Sequence, residues 1–231
     1  MLLPWVPTVQ IGERVPGNPA FVDSNGRRTA WTDVSGHPRA LAFVYTRCPE
    51  PKECPATSLK FAELQRELPP GARLIEVTID PAHDTPRVLH LYAQNYAADP
   101  ARWTLLTGDP AAVLTFAKRF GVNVSPGPAP GTIEHGEALA VFDREDRLTS
   151  LTAGNTWQPS EVLAELRAAS GLRSDPLARL ALWFQNFGVA CGAALGLGDA
   201  WARPLAFAVS GAMLALVAAS AFYLLRVLRD A

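Results

Sequence analysis

The sequence predicts an α/β fold, a mixed central sheet with helices on both faces, followed by a membrane segment at the C-terminus. Three observations carry that reading. Unbroken apolar, β-branched runs such as Ala40 to Thr46 alternate with amphipathic stretches, as buried strands alternate with the helices that cover them. Pro, Gly and Asp cluster between these runs, where the chain has to turn. The excess hydrophobicity behind a mean hydropathy of +0.07 is concentrated late in the chain. At 231 residues the chain is long enough for one compact domain and an appendage. With 21 basic against 22 acidic residues it has no global positive field, so a nucleic-acid partner is not expected.

Residues 1–19 are rich in Pro and Gly and read as an extended arm, and residues 20–172 as the domain. Phe21 to Asp23 and Thr29 to Thr32 flank Ser24-Asn25-Gly26, a hairpin signal because Asn-Gly tolerates the positive φ of a tight turn. Ala40 to Thr46 is a buried strand, and Ser58 to Leu68 an amphipathic helix closed by Pro69-Pro70-Gly71. Arg73 to Ile79 is the next strand, Pro86 to Ala97 a helix with Pro in its first turn, and Trp103 to Leu106 a short strand. Asp109 caps a helix over Pro110 to Phe120, which Gly121 ends. A loop over Ser125 to Gly131 precedes a hairpin of Ala138 to Phe142 and Leu148 to Leu151. Gln158 to Ala169 is the last helix, with Ser160 as its cap. No internal repeat is visible.

Residues 173–231 form the membrane region. Leu205 to Leu225 carries no charged residue and is long enough to cross a hydrocarbon core of about 30 Å. The weaker run at 180–198 reads either as a second span or as an interfacial segment. With one span, Arg226 and Arg229 mark the cytoplasmic end, which leaves the domain on the extracytoplasmic side. The opening residues Met1 to Pro7 lack the basic stretch and unbroken apolar run of a secretory signal, which keeps a membrane hairpin open as the alternative.

The chemical signal is Thr46-Arg47-Cys48-Pro49-Glu50-Pro51-Lys52-Glu53-Cys54-Pro55, between a buried strand and a helix, where open α/β folds place their sites. Near a helix N-terminus the partial positive charge favours thiolate, the form that attacks disulfides and binds metals. Two inert buried cysteines and a static disulfide are the competing readings. No second Cys pair or His pair completes a tetrahedral structural zinc site. The third cysteine, Cys191, reads as a small apolar residue of a membrane segment.

Phe43-Val-Tyr-Thr-Arg-Cys-Pro, then Val77-Thr-Ile-Asp-Pro-Ala-His-Asp-Thr-Pro86, Thr104-Leu-Leu-Thr-Gly108 and Glu134-His135 leading into Ala138-Leu-Ala-Val-Phe-Asp143 resemble the Sco/SenC family in content and order. That resemblance, over roughly residues 15 to 170, implies a thioredoxin-like fold. It also implies a membrane-anchored copper chaperone that matures the binuclear copper site of cytochrome c oxidase. It makes Cys48 and Cys54 the copper thiolates, His135 the imidazole ligand and Asp80 a nearby carboxylate that is not a ligand. The partners implied are the oxidase subunit that carries the copper site and a thiol reductant.

Three departures from the family pattern stand out. The cysteines are spaced Cys-x5-Cys-Pro rather than Cys-x3-Cys-Pro, Glu134-His135-Gly136 replaces Asp-His-Ser, and the anchor is C-terminal rather than N-terminal. Two thiolates and an imidazole suit Cu(I), and Cu(II) can use the same set with an added oxygen. His37, His83 and His90 are expected to be solvated or structural. The alternative function is an extracytoplasmic thiol:disulfide oxidoreductase or thiol peroxidase, with Cys48 as nucleophile and Cys54 as resolving thiol.

Overall fold

A computed structural model describes residues 6–171. Its sheet is built from β1 (Ala20–Asp23), β2 (Arg28–Ala30), β3 (Arg39–Val44), β4 (Arg73–Thr78), β5 (Trp103–Thr107), β8 (Ala138–Phe142) and β9 (Leu148–Ala153), in the order β2-β1-β5-β4-β3-β8-β9. The centre is parallel, β3 with β4 and β4 with β5, and the flanks are antiparallel. A separate small hairpin pairs β6 (Val124–Pro126) with β7 (Ile133–His135). The expected mixed sheet is therefore present, and its most apolar strand, β3, is buried along its whole length at the centre.

Four helices cover it: α1 (Cys54–Glu67), α2 (Pro86–Asn95), α3 (Pro110–Arg119) and α4 (Pro159–Gly171). Each of the three proline-led helices α2, α3 and α4 starts where proline's missing N–H costs nothing. Thr85 and Asp109 cap α2 and α3 by accepting from Val88 N and Ala112 N. α1 begins at Cys54, four residues before the predicted Ser58, because Pro55 fits a first turn and extends the helix into the cysteine loop. Ser160 lies inside α4 rather than capping it; the Glu161 carboxylate accepts instead from Gln158 N at 3.0 Å. The strand predicted to reach Thr32 stops at Ala30, where Trp31–Val34 winds into a 3-10 turn.

Alternation along β3 sends Leu41 and Phe43 to one face of the sheet and Ala42 and Val44 to the other. Behind Phe43, α3 contributes Phe116, whose ring lies 5.0–6.0 Å from those of Phe21, Trp31, Phe43 and Phe120. The N-terminal segment packs here too. Val9 and Val15 are buried, and the backbone of Thr8 and Gly12 donates to Arg119 O and Leu148 O. Arg39 is wholly buried, stacked 4.5 Å over Trp31 and 4.7 Å over Phe142, and paired with Asp146.

On the opposite face Phe61 of α1 meets Trp103 and Trp157, and Ser58 bonds Tyr92 of α2 at 2.8 Å. A carboxyl sits within this layer. Glu76 of β4 is wholly buried and accepts from Ser58 Oγ at 2.8 Å, while its second oxygen has no hydrogen bond of good geometry. Burial pushes its pKa up to about 8, against smaller opposing effects of Ser58 and Trp103.

Among the described residues no helix is long and apolar enough to cross a membrane. Both segments with a predicted membrane role, 180–198 and 205–225, and with them Cys191, lie outside the described residues.

Candidate metal centre

β3 delivers the chain to Tyr45 and Thr46 at the C-terminal edge of the parallel strands, and the cysteine loop follows directly. Its shape is set by Asp84, which is fully buried. Asp84 accepts from Thr46 N (3.1 Å), Thr46 Oγ1 (2.5 Å) and Thr78 Oγ1 (2.5 Å), and bonds His83 Nδ1 at 3.0 Å. This carboxylate thus ties the ends of β3 and β4 together. Asp80 reaches the loop indirectly, through a 2.7 Å ion pair with Arg47, the neighbour of Cys48. Asp80, His83 and Asp84 form a carboxylate and imidazole group of their own, apart from the sulfurs.

Cys54 is the first residue of α1 and 1% exposed; its sulfur accepts from Tyr45 N at 3.4 Å. Cys48 is half-buried, and both are free thiols. His135 arrives from the end of β7, a hairpin the Pro/Gly-rich loop concealed from sequence reading. Gly136 eases that placement, since a Cβ there would stand 3.0 Å from Gly121 O and force the backbone apart by a few tenths of an ångström. The imidazole Nδ1 lies 2.9 Å from Gly136 O, and because a carbonyl can only accept, the proton is on Nδ1. Nε2 is left with its lone pair facing Cys54 Sγ at 3.6 Å. The Tyr45 ring meets the imidazole edge-on at 5.5 Å, and its hydroxyl bonds Ile133 of the same strand.

Cys48, Cys54 and His135 therefore present two sulfurs and one ring nitrogen within 4.8 Å of one another. As thiols and imidazole they are a soft to borderline donor set, which fits copper better than magnesium or calcium. In the reduced pair one proton is shared unequally. The Cys54 thiol holds Cys48 as thiolate, down to about 5, and the same bond with burial pushes Cys54 up. Cys48 Sγ also lies 3.7 Å from Glu50 O and 3.8 Å from Glu53 Oε2, contacts too long to keep a proton on this sulfur against the Cys54 bond.

Several residues around the site escaped the sequence reading. Asp84 lay inside the quoted motif but was indistinguishable from Asp80. Asn155, in the connection between β9 and α4, donates to Lys52 O at 2.7 Å and Glu53 O at 3.1 Å. It is itself gripped by Lys60 Nζ at 2.6 and 2.9 Å. Glu137 is half-buried beside His135, with its pKa raised by burial. His37 is half-buried at the far end of β3 rather than solvent-facing, and His90 is exposed on α2, so neither joins the site.

The family model described as SCO1/SenC matches residues 10–171. A SCO1 protein homolog of Bacillus subtilis is 23% identical over 159 residues, 66% of this chain and 81% of its own. Among solved structures, copper-bound ScoI of Bradyrhizobium japonicum is 26% identical, with a TM-score of 0.58 over 70% of this chain and 100% of that one. BsSco, described with a disulfide switch and as a member of the Sco family of cytochrome c oxidase assembly proteins, is 22% identical. It superposes with a TM-score of 0.60 over 71% of this chain and 98% of its own.

Proposed function

The chain belongs to the SCO1/SenC family, and from that membership we propose that it is a copper-binding chaperone that matures the binuclear copper site of cytochrome c oxidase. The observation that carries the reading is the convergence of Cys48 and Cys54, from one loop, with His135, from a distant strand, onto one point. Copper bound there supplies a redox-active, thiophilic ion. The residues of this chain supply two sulfurs, an imidazole whose tautomer is fixed by Gly136 O, and a loop held by Asp84. The relative from Bradyrhizobium japonicum is described with copper bound, which supports the same cargo here. The subunit that carries the oxidase copper site is the proposed partner, and a thiol reductant keeps the cysteines open to the ion.

Copper retained by the full reduced chain after chelator competition tests this reading. Cys48→Ala, Cys54→Ala and His135→Ala are each expected to retain less than wild type. Equal retention by all four proteins would overturn it.

A second reading is favoured by one observation, two free cysteine sulfurs within 4.8 Å of each other. That pair is poised to close into a disulfide by passing two electrons and its one proton to a substrate disulfide, which leaves as one thiolate and one thiol, so the domain would act as a thiol:disulfide oxidoreductase. BsSco is described with a disulfide switch. Turnover of a model disulfide that survives His135→Ala but not Cys48→Ala would favour the enzyme. Absent turnover with intact copper binding would favour the chaperone.

The membrane role rests on the charge-free run Leu205 to Leu225, with Arg226 and Arg229 at the cytoplasmic end and the domain outside. A SCO1/SenC relative from Bacillus anthracis is described as a lipoprotein, another route to a membrane surface. Protease shaving of intact cells or spheroplasts is expected to digest the domain. Protection until lysis would contradict the orientation and favour the hairpin.

A further inference from the structure

We infer that Glu53 supplies an oxygen donor to the metal site, completing a ring of Cys48, Glu53, His135 and Cys54 that favours divalent over monovalent copper. The inference rests on the copper reading above and adds a residue to it.

Glu53 stands at the edge of the three-ligand cluster. Glu53 Oε2 lies 3.8 Å from Cys48 Sγ and 3.5 Å from His135 Nε2, and His135 Nε2 lies 3.6 Å from Cys54 Sγ. Two donors bound to one ion at about 2.0–2.3 Å are separated by roughly 3.3–3.8 Å in a tetrahedron and by about 2.8–3.3 Å in the square-planar arrangement Cu(II) prefers. Glu53 therefore flanks the three-ligand cluster, and a turn of its flexible side chain brings it onto the ion. The carboxylate's polar neighbours there are the Cys48 sulfur and the unprotonated His135 Nε2, two electron-pair donors that a shared cation would draw together.

The backbone sets where the side chain starts. Glu53 N donates to Glu50 O at 3.1 Å, Glu53 O accepts from Thr57 N at 3.0 Å, and Asn155 Nδ2 donates to the same oxygen at 3.1 Å. Those bonds fix the root of the side chain at the start of α1, one residue before a buried ligand. The Glu53 side chain is 43% exposed and covers the site from the solvent side, while the His135 side chain, at 1%, closes it from within. A charged oxygen is a hard donor, so it strengthens the hold on Cu(II) and adds little for Cu(I), which two thiolates and an imidazole already satisfy.

The test uses the full reduced chain under anaerobic conditions, loaded with one equivalent of Cu(I) or of Cu(II), with affinities read by chelator competition and the Cu(II) environment by electron paramagnetic resonance. Glu53→Gln is expected to weaken Cu(II) binding by about tenfold, in the range seen when a group supporting a metal site is removed, and to change the Cu(II) spectrum. With Cu(I) affinity unchanged, that loss raises the one-electron potential by about 59 mV. Glu53→Asp, which keeps a carboxylate on the same backbone, should retain more Cu(II) than Glu53→Gln. Glu50→Gln removes a charge from the same loop at an exposed position and should leave both affinities unchanged. Equal Cu(II) affinity and spectrum in wild type and Glu53→Gln would overturn the assignment while leaving the copper reading intact. An equal loss in Glu50→Gln would also overturn it, because loop charge rather than ligation would then be responsible. Failure of wild type to hold copper in either state would overturn the copper reading and this inference together.

Discussion

Replacing Glu76 by glutamine is expected to abolish a pH-dependent loss of stability that originates in the core. In the unfolded chain this carboxyl titrates near 4.5, whereas burial beneath α1 and α2 moves it to about 8 in the fold. Below 4.5 both states hold the proton, and the group contributes no pH dependence. Between 4.5 and about 8 the unfolded chain gives up its proton while the folded one keeps it, so stability falls as pH rises, by up to ~1.4 kcal/mol per pH unit. Across the whole window the loss is ~5 kcal/mol, and by about pH 7 more than half of it has accumulated. Glutamine keeps an acceptor for Ser58 Oγ but has nothing to ionise. Urea unfolding of both proteins from about pH 5 to about pH 9 should give curves that diverge steadily, with the variant gaining relative to wild type as pH rises. The comparison is of slopes, since a buried amide carries a constant cost of its own. Parallel curves across that window would refute the reasoning, by showing that Glu76 does not enter the fold as a protonated acid.

Three further outcomes are expected. Asp84→Ala leaves Thr46 N, Thr46 Oγ1 and Thr78 Oγ1 without their buried acceptor and should cost ~3 kcal/mol or more in denaturant unfolding. Asn155→Ala removes two hydrogen bonds from the cysteine loop and should cost ~1–2 kcal/mol, with faster amide exchange confined to the loop and the first turn of α1. Alkylation of the reduced, metal-free chain, followed by peptide mass analysis, should label half-buried Cys48 well before Cys54, which is 1% exposed; equal labelling would contradict the local geometry.

The parts of the fold legible in the sequence were those set by local chemistry. β3 and β4 follow from unbroken apolar runs, and α3 from Asp109, Pro110 and Gly121 acting within a few residues of one another. What escaped reading depends on partners far along the chain. The β6–β7 hairpin has only three residues in each strand and sits in a segment whose prolines argue for a loop. Glu76 looked like an ordinary polar position in a strand until Ser58 and Tyr92 were seen to enclose it. At the site, the two cysteines announced themselves by placement, and His135 was reached only through the family resemblance. Glu53 and Asn155 gave no sign, because a glutamate between two cysteines acquires meaning only when a histidine 82 positions later comes to face it.

The spacing of the site along the chain also has a temporal side. Cys54 and His135 are separated by 81 residues, and the clamp on Glu53 comes from Asn155, 102 residues later. At about 5–20 residues per second of synthesis, the thiols exist for roughly 4–16 s before their imidazole partner has been made. Throughout that interval the thiols lack the imidazole that completes their site. The finished site can be assembled only once β7 and the turn before α4 have been added.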